Sequence, residues 1–229
     1  MKTLKSNLIL FIFLIGAIVV LPRCGANDPE SSDSNILAGD TNIPLGEVGN
    51  TGYSVVEING KYGRIDNAKI TKNENGVVTV HASADISKIE GLKDIAEVVS
   101  SVYPVVADAN GQINADFKFK ITSEGIQDFN NIDGKPHTIV KYDCNVGDTY
   151  TLKLSNGQTI KRKVIAKSTK DDFQWGMLNI KTITIEQNSQ APGIKKYILK
   201  ANHKFGLVFV QAIMEDGTSA GMYIYPTNY

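Results

Sequence analysis

The chain has 229 residues, of which 24 are Lys or Arg and 24 are Asp or Glu, so its formal net charge is zero. This length lets one domain bury a core without metal or disulfide support. Two cysteines exclude a disulfide framework, because Cys24 and Cys144 could form one bridge at most. Without the N-terminal Lys2, Lys5 and Arg23, 21 basic side chains face 24 acidic ones. A chain with a slight acidic excess lacks the clustered cations that nucleic-acid binding requires, so we expect no nucleic-acid partner.

The N-terminus has the pattern of a secretory signal sequence over residues 1–23. Lys2 and Lys5 give the N-terminal end a positive charge, and residues 8–21 are an apolar run of 14 residues. This run has the length of a signal-peptide apolar region and is shorter than the roughly 20 residues of a membrane-spanning helix. The sequence therefore predicts export. The alternative, an uncleaved anchor helix, also places the rest of the chain outside the cytoplasm.

Cys24 is the predicted lipidation site. It ends the segment LPRC directly after the apolar run, and this segment resembles the lipobox of bacterial lipoproteins, in which the Cys is acylated and becomes the new N-terminus. Arg23 occupies the position where that motif has a small residue. Cleavage after Ala26 is the competing prediction, because Cys24 and Ala26 put small residues at both recognition positions. It would give a soluble secreted protein instead of a lipid-anchored one.

Residues 24–40 are predicted to be a flexible tether, since residues 27–40 are rich in Asp, Ser and Asn. Cell-envelope lipoproteins of the Bacteroidetes type begin with a similar acidic, Ser-rich stretch after the acylated Cys. The resemblance implies localisation to the cell envelope, in the periplasm or at the outer membrane, and implies no activity. Residues 41–229 are predicted to form a single β-rich domain, with a boundary near residues 130–136 as the alternative.

Six Asx-Gly pairs predict tight hairpin turns in which both central residues take positive φ. The pairs are Asn59-Gly60, Asn75-Gly76, Asn110-Gly111, Asp133-Gly134, Asn156-Gly157 and Asp216-Gly217. β-branched and aromatic segments near them are predicted strands: residues 53–58, 77–82, 138–144, 149–154, 158–166, 177–186, 204–214 and 222–226. Many short strands with tight turns predict an antiparallel sheet rather than βαβ units.

One segment, about 87–103, is predicted to be the single main helix. Ser87 and Glu90 form a capping box, and Pro104 ends the helix. Its apolar residues recur at helical spacing: Ile86, Ile89, Leu92, Ile95, Ala96, Val99 and Val102. The predicted fold is mainly β, of the α+β class. It is an antiparallel, strongly curved sheet or partial barrel with this amphipathic helix on one face.

No catalytic residue and no metal ligand are predicted. Residues 217–221, GTSAG, match the letters of a serine-hydrolase motif around Ser219, but no Asp, Glu or His follows, and a hairpin turn is the better prediction. His81, His137 and His203 share no metal-ligand spacing. Asp108 opens a segment with a faint calcium-loop pattern that lacks the closing Glu, so we expect a turn there.

Two other features leave alternatives open. Cys144 is predicted to be a buried packing residue, and a spatial Cys144–His dyad is the alternative. Asp171-Asp172 precede the aromatic segment FQW, a combination found in many sugar sites and equally typical of a loop that leads into a buried strand; we favour the loop. Phosphate-binding glycine loops and dinucleotide fingerprints do not occur in the sequence, and no cofactor is predicted.

The later part of the chain resembles curved half-barrel domains such as those of periplasmic lipoprotein carriers. The resemblance covers roughly residues 138–213. It is carried by the segment VGDTY at 146–150, the hairpin at Asn156-Gly157, residues 178–186, Tyr197 and the segment FGLV at 205–208. It implies an open antiparallel sheet curled around apolar contents, with the helix as plug or lid, and it supplies no catalytic residue.

The sequence therefore predicts an exported, lipid-anchored, non-catalytic binding domain. Its partner would be an apolar or amphipathic ligand, a glycan or an envelope protein, and its contact with the membrane would be the N-terminal lipid. The alternative is a structural subunit of a surface assembly or adhesin, in which exposed edges such as the terminal strand at 222–226 pair with a neighbouring chain. No individual ligand-binding residue is predicted.

Overall fold

The computed structural model describes residues 35–227 with the exception of 59, 86, 88–107, 109 and 190–191. The described residues form fourteen strands and a 3₁₀ turn at Pro44–Gly46. The strands are β1 (Thr51–Ile58), β2 (Lys61–Glu74), β3 (Val77–Asp85), β4 (Gln112–Thr122), β5 (Gly125–Asp128), β6 (His137–Lys141), β7 (Thr149–Lys153), β8 (Thr159–Lys167), β9 (Phe173–Trp175), β10 (Leu178–Ile180), β11 (Ile183–Asn188), β12 (Ile194–Asn202), β13 (Gly206–Met214) and β14 (Ser219–Pro226).

Twelve strands form one antiparallel sheet in the order β6-β5-β4-β3-β2-β1-β14-β13-β12-β11-β8-β7, and β9 pairs with β10 in a separate hairpin. The prediction of a mainly β, antiparallel fold is confirmed. The terminal strand β14 lies in the middle of the sheet, paired with β1 on one side and β13 on the other, so it offers no free edge. Strands β5 and β6 pair across the loop at 130–136, so the sheet continues through that region.

Register shifts of the bulge kind interrupt five of the pairings: β1–β2, β2–β3, β5–β6, β8–β11 and β12–β13. Each such shift bends the strand and increases its twist. The sheet therefore curls until its two edge strands, β6 and β7, face each other along a seam. The result is a nearly closed barrel whose inward-facing side chains form one apolar core.

Side chains, rather than a backbone ladder, join the two edges at this seam. The His137 ring on β6 donates from Nε2 to the carbonyl oxygen of Tyr150 on β7, at 3.1 Å. The phenol oxygen of Tyr150 accepts from the backbone N–H of Lys141 at 3.3 Å. Polar backbone groups at a sheet edge need partners when they are buried, and these bonds supply some of them.

Asn35 spans the same seam from outside the sheet. Its Nδ2 donates to the carbonyl oxygen of Thr151 on β7 at 2.7 Å, and its Oδ1 accepts from the backbone N–H of Thr138 on β6 at 3.0 Å. Leu37 is buried, and Lys120 Nζ donates to its carbonyl oxygen. The packed part of the chain therefore begins at least as early as Asn35, within the stretch predicted to be a tether.

The Asx-Gly turns adopt a different geometry from the predicted one at most sites. Both central residues have positive φ only at Asn75-Gly76, with values of 52° and 84°, among the described pairs. In the Asn156-Gly157 and Asp216-Gly217 turns only the glycine has a positive φ. Two backbone hydrogen bonds close each of these turns in the same pattern. In the second turn they run from Met214 N–H to Thr218 O and from Gly217 N–H to Met214 O. This is the turn with a following left-handed glycine, the other common way to build a short hairpin.

Two other sequence predictions need adjustment. The predicted strand at 177–186 is two strands, β10 and β11, which belong to different sheets. Cys144 lies beyond the end of β6 in a loop, although it is buried as expected. Apart from Ser87, the helix predicted at about 87–103 falls on residues outside the described part, and the described residues contain no α-helix. No helix in the described part of the chain is long and apolar enough to cross a membrane.

Candidate functional site

An apolar cavity of about 230 Å³ lies inside the curled sheet. It reaches the end of the sheet where β1 begins and β14 ends, because Thr51 and Pro226 line it there. Its wall is formed mainly by inward-facing aliphatic and aromatic side chains: Ile65, Ile70, Val80, Phe117, Phe119, Ile126, Ile139, Leu199, Leu207, Val210, Met222 and Ile224. Burial of alkyl groups against such a wall is favourable, so the cavity suits an apolar occupant.

Small residues on the inward faces of adjacent strands leave this space open. Ala68 on β2 and Ala82 on β3 are direct cross-strand neighbours, and both line the cavity. Gly206 also lines it, with a φ of +73°, and a Cβ added there would lie 2.8 Å from Leu45 Cδ2. The missing side chain therefore makes room for Leu45, which the 3₁₀ turn places at the cavity wall.

A buried ion pair is part of the cavity wall. Asp128 on β5 and Arg162 on β8 are each 1% exposed, and Asp128 Oδ2 lies 2.6 Å from Arg162 Nη2. Arg162 Nε donates to Gln187 Oε1 at 2.7 Å, and its Nη1 donates to the carbonyl oxygen of His137 at 3.0 Å. The guanidinium thus connects β5, β6 and β11, which fixes its position at the cavity wall.

Both carboxylate oxygens of Asp128 have a nearby N–H group. Its Oδ1 accepts from the backbone N–H of Asn130 at 3.2 Å. Its Oδ2 is buried and lies 2.6 Å from Arg162 Nη2 in the ion pair. Burial raises the pKa of Asp128, while the charge of Arg162 opposes that rise. The countercharge of Arg162 therefore offsets part of the cost of burying the carboxylate.

His137 is neutral at this seam. Burial and the nearby charge of Arg162 lower the pKa of His137 to about 2. Because the Tyr150 carbonyl can only accept, the ring proton lies on Nε2. The other nitrogen, Nδ1, is buried and has no hydrogen-bond partner among the described residues. The ring therefore acts as a fixed donor and carries no charge.

A stack of aromatic rings borders the cavity where the β9–β10 hairpin packs on the barrel. The ring centroids of Tyr53 and Tyr225 are 4.9 Å apart, those of Tyr225 and Trp175 5.0 Å, and those of Trp175 and Phe205 4.6 Å. Trp175 is 6% exposed, and its Nε1 donates to the carbonyl oxygen of Ile224. The FQW segment is therefore a short strand that follows a loop and buries Trp175, and the indole has no open face for a sugar.

Ser219, His81 and His203, the candidate catalytic residues of the sequence, lie in separate parts of the fold. Ser219 is on β14 next to a hairpin turn, and its hydroxyl accepts from Gln211 Nε2. His81 pairs with Asp116 at 2.9 Å on the outer face of β3 and β4, and His203 is exposed in the turn after β12. Within the described ranges no group of His, Cys, Asp or Glu could hold a metal ion.

Asp108 and Cys144 also have structural roles. Asp108 Oδ1 accepts from the backbone N–H groups of Asn110 and Gln112, the turn that was predicted. Burial raises the pKa of the Cys144 thiol, and Lys167 Nζ donates to the Cys144 carbonyl oxygen. Cys144 is a packing residue at the end of the seam. Cys24, the predicted lipidation site, lies outside the described residues.

The sequence contains a signal that Arg162 is buried. Along β8, Ile160, Arg162 and Val164 are buried, whereas the residues between them are exposed. A charged residue in the apolar phase of an alternating strand indicates a buried charge, which needs a partner. The partner Asp128 ends the four-residue strand β5, in which every residue is buried, so alternation does not reveal it.

Neither the protein-family models nor the curated proteins match this chain, and no solved structure matches it.

Proposed function

We propose that this domain binds a small amphipathic molecule, with the alkyl part of that molecule inside the barrel. The observation that carries the proposal is the cavity of about 230 Å³, whose wall is mainly apolar. The polar residues that line it are the Asp128–Arg162 pair and Asn50, Thr51, Ser54 and Lys69. An apolar pocket with a few convergent polar groups is the usual form of a small-molecule site. The role is non-catalytic binding, because the nucleophiles and histidines discussed above do not meet.

The cavity size limits the ligand. A volume of about 230 Å³ is below the roughly 300–1,000 Å³ of sites for drug-sized molecules. If a methylene takes about the 30 Å³ that a water molecule takes in the liquid, the cavity holds roughly eight carbons. Each buried methylene contributes about 0.8 kcal/mol, so a single chain of that length can bind with measurable affinity.

The proposal includes the localisation of the protein in the cell. We propose that the protein is exported and held at the cell envelope by a lipid on Cys24, with the helix at about 87–103 completing the domain. The support is the signal pattern of residues 1–23 and the LPRC segment. Intact mass of the protein from its native membrane tests the anchor. A chain that starts at Cys24 and carries lipid supports it, and an unmodified chain from Asn27 contradicts it.

Calorimetric titration of residues 35–229 with linear alcohols tests the binding itself. Octan-1-ol is expected to bind with one site, and each methylene removed from the series down to butan-1-ol weakens binding about fourfold, the equivalent of 0.8 kcal/mol. Ala82→Phe places a ring in the cavity and abolishes binding. Ser83→Phe is the matched control, because Ser83 is the next residue on β3 and points out of the barrel.

The proposal fails if octan-1-ol does not bind to a folded domain, or if Ala82→Phe and Ser83→Phe bind it equally well. Near-ultraviolet circular dichroism of both variants establishes that they are folded. Trp175 gives a second signal, because it is the single Trp of the chain and stacks on Tyr225 and Phe205, which line the cavity.

A further inference from the structure

We infer that the ligand of this cavity carries an uncharged oxygen, in a hydroxyl, ether or carbonyl group, and that this oxygen forms a hydrogen bond with the hydroxyl of Ser54. The inference rests on the proposed function, because it names the chemical class of the molecule in the cavity. It follows from the position of Ser54 in an apolar wall, from the bonding of its hydroxyl and from the charges of the other lining residues.

Ser54 on β1 points into the barrel. Val56, the next residue of the same phase on this strand, is buried in the core. The cross-strand neighbours of Ser54 are Ile65 on β2 and Ile224 on β14, and all three residues line the cavity. The cavity reaches the end of the sheet at Thr51, and the rise of an extended strand places Ser54 roughly 10 Å further along β1. The hydroxyl is therefore inside the cavity rather than at its opening.

The Ser54 hydroxyl has no hydrogen-bond partner in the part of the chain that the structure describes. Asn50 and Thr51, which also line the cavity, do have partners. Asn50 Nδ2 donates to the carbonyl oxygen of Pro44 at 2.6 Å, and the hydroxyl oxygens of Thr51 and Thr227 are 2.6 Å apart. Because Ser54 is half-buried in the cavity wall, a small molecule inside the cavity can reach its hydroxyl.

This hydroxyl discriminates between ligands when the cavity is filled. A purely apolar ligand would exclude water from Ser54 and leave a buried hydroxyl without a partner, which weakens binding. A ligand with an oxygen at this point replaces the lost hydrogen bond. Binding sites that bond a polar group reject analogues without that group for the same reason.

The charges of the wall favour an oxygen that is not ionised. Asp128 and Arg162 form a buried ion pair, so their charges neutralise each other. Lys69 is exposed, and its cross-strand neighbour His81 lies on the outer face of the sheet. No unpaired charge among the described lining residues therefore faces the interior. An ionised group beside Ser54 would lose its hydration without gaining a countercharge.

The experiment titrates residues 35–229 at pH 7.5 with four six-carbon ligands: hexan-1-ol, 1-methoxypentane, 1-chlorohexane and hexanoate. Shifts of the methyl resonances of the cavity residues give each dissociation constant. The hydroxyl and ether oxygens can accept a hydrogen bond from Ser54, whereas the chlorine is a poor acceptor. Hexanoate should bind at least about tenfold more weakly than hexan-1-ol, because its carboxylate loses hydration without a countercharge.

Ser54→Ala tests the hydroxyl itself. Each ligand is compared with itself in wild type and variant, which cancels its own cost of leaving water. The variant should weaken binding of hexan-1-ol and 1-methoxypentane about fivefold, through the loss of one hydrogen bond. Binding of 1-chlorohexane should be unchanged or tighter, because this ligand no longer covers a hydroxyl that it cannot bond.

Two further variants separate the hydroxyl from other effects of substitution. Ser83→Ala is the matched control, because Ser83 points out of the barrel on β3, and it should keep all four dissociation constants. Ser54→Thr retains a hydroxyl at the same position and should keep the wild-type order of the four ligands.

A measurement on the wild-type domain covers the case in which Ser54→Ala does not fold, which near-ultraviolet circular dichroism establishes. Nuclear Overhauser effects should connect the protons on the hydroxyl-bearing carbon of hexan-1-ol with the methyl groups of Ile65 and Ile224, the neighbours of Ser54. Contacts from the terminal methyl group of hexan-1-ol to these residues instead would overturn the inference.

The outcomes separate the inference from the proposed function. Weaker binding of both oxygen ligands to Ser54→Ala, without weaker binding of 1-chlorohexane, supports the inference. An equal loss for all three, or a loss for none, overturns it and leaves the proposed function standing, because the cavity would then recognise the chain alone. Hexanoate that binds as tightly as hexan-1-ol overturns it as well. If none of the four binds to the folded wild-type domain, both the proposed function and the inference are wrong.

Discussion

Arg162 Nη2 lies 2.6 Å from Asp128 Oδ2, although the two residues are on strands at opposite ends of the sheet order. Strand β5 is next to the edge strand β6, and β8 is next to the edge strand β7. The pair therefore spans both edges and holds the sheet closed, and the same two side chains line the cavity. The ion pair therefore links the two edges of the sheet at the cavity wall.

Removal of one member of this pair should destabilise the domain strongly. Arg162→Met leaves the Asp128 carboxylate buried without a countercharge, which costs about 3–5 kcal/mol in the free energy of unfolding. The double variant Arg162→Met/Asp128→Leu removes both charges and should recover most of that loss, because apolar side chains of similar volume replace the pair. Urea denaturation of the three proteins measures the effect. A single variant within about 1 kcal/mol of wild type would show that the pair does not hold the seam.

Asn35 should contribute to stability although it lies in the predicted tether. Asn35→Ala removes the bonds to the backbone of Thr138 and Thr151 and should cost about 1–3 kcal/mol. Asn42→Ala is the control, because Asn42 is exposed and its position is on the same N-terminal segment. Thermal unfolding of both variants separates the two. Equal melting temperatures for Asn35→Ala and wild type would mean that the seam does not need this bridge.

The stability of the domain should fall between pH 7.5 and pH 5 because of His137. The folded state lowers the pKa of His137 to about 2, from an ordinary value of 6.5. Well above pH 6.5 the ring is neutral in both states, so its full contribution to stability is present there. As the pH falls below 6.5, the unfolded chain binds a proton that the folded chain does not, and stability decreases. At pH 5 this loss is about 2 kcal/mol.

Denaturant titrations of His137→Gln at several pH values test this origin. Glutamine keeps an N–H donor for the Tyr150 carbonyl and does not titrate, so the slope between pH 5 and 7.5 should flatten. His203→Gln is the matched control and should keep the wild-type slope, because His203 is exposed. An unchanged slope in His137→Gln would contradict the assignment to this residue.

Cys144 should react slowly with thiol reagents in the folded domain. It is 4% exposed, and burial raises the pKa of its thiol, so little thiolate is available at neutral pH. Residues 35–229 contain Cys144 as their single Cys, which lets a disulfide-exchange reagent report on it alone. The reaction should become fast only in denaturant. Rapid modification of the native domain would instead indicate an accessible, activated thiol.

The sheet could be predicted from the sequence wherever a strand alternates or is strongly apolar. Strands β1, β3, β7, β8 and β13 have these patterns, and their central residues were predicted correctly. Strand β2 was missed because the bulge between its inward residues Ile65 and Ala68 breaks the alternation, and β5 was missed because it has four residues. The pattern of β8 did contain Arg162 among inward residues, so that buried charge was predictable.

The seam and the cavity were not predictable in the same way. Asn35, Thr138 and Thr151 are more than 100 residues apart from first to last, and no local pattern pairs them. The cavity depends on Ala68 and Ala82 meeting across β2 and β3, which requires the register of two strands around a bulge. Long-range register decides both features, whereas propensity and periodicity are local.

The most direct test of a ligand site inside the barrel is the position of bound octan-1-ol, measured by nuclear Overhauser effects between the alcohol and assigned methyl groups. The account predicts contacts from the alkyl chain to Val210, Met222 and Ile224, which face the cavity. Contacts confined to the exposed Met177 and Leu178 at the tip of the β9–β10 hairpin would contradict it, because the alcohol would then bind on the surface.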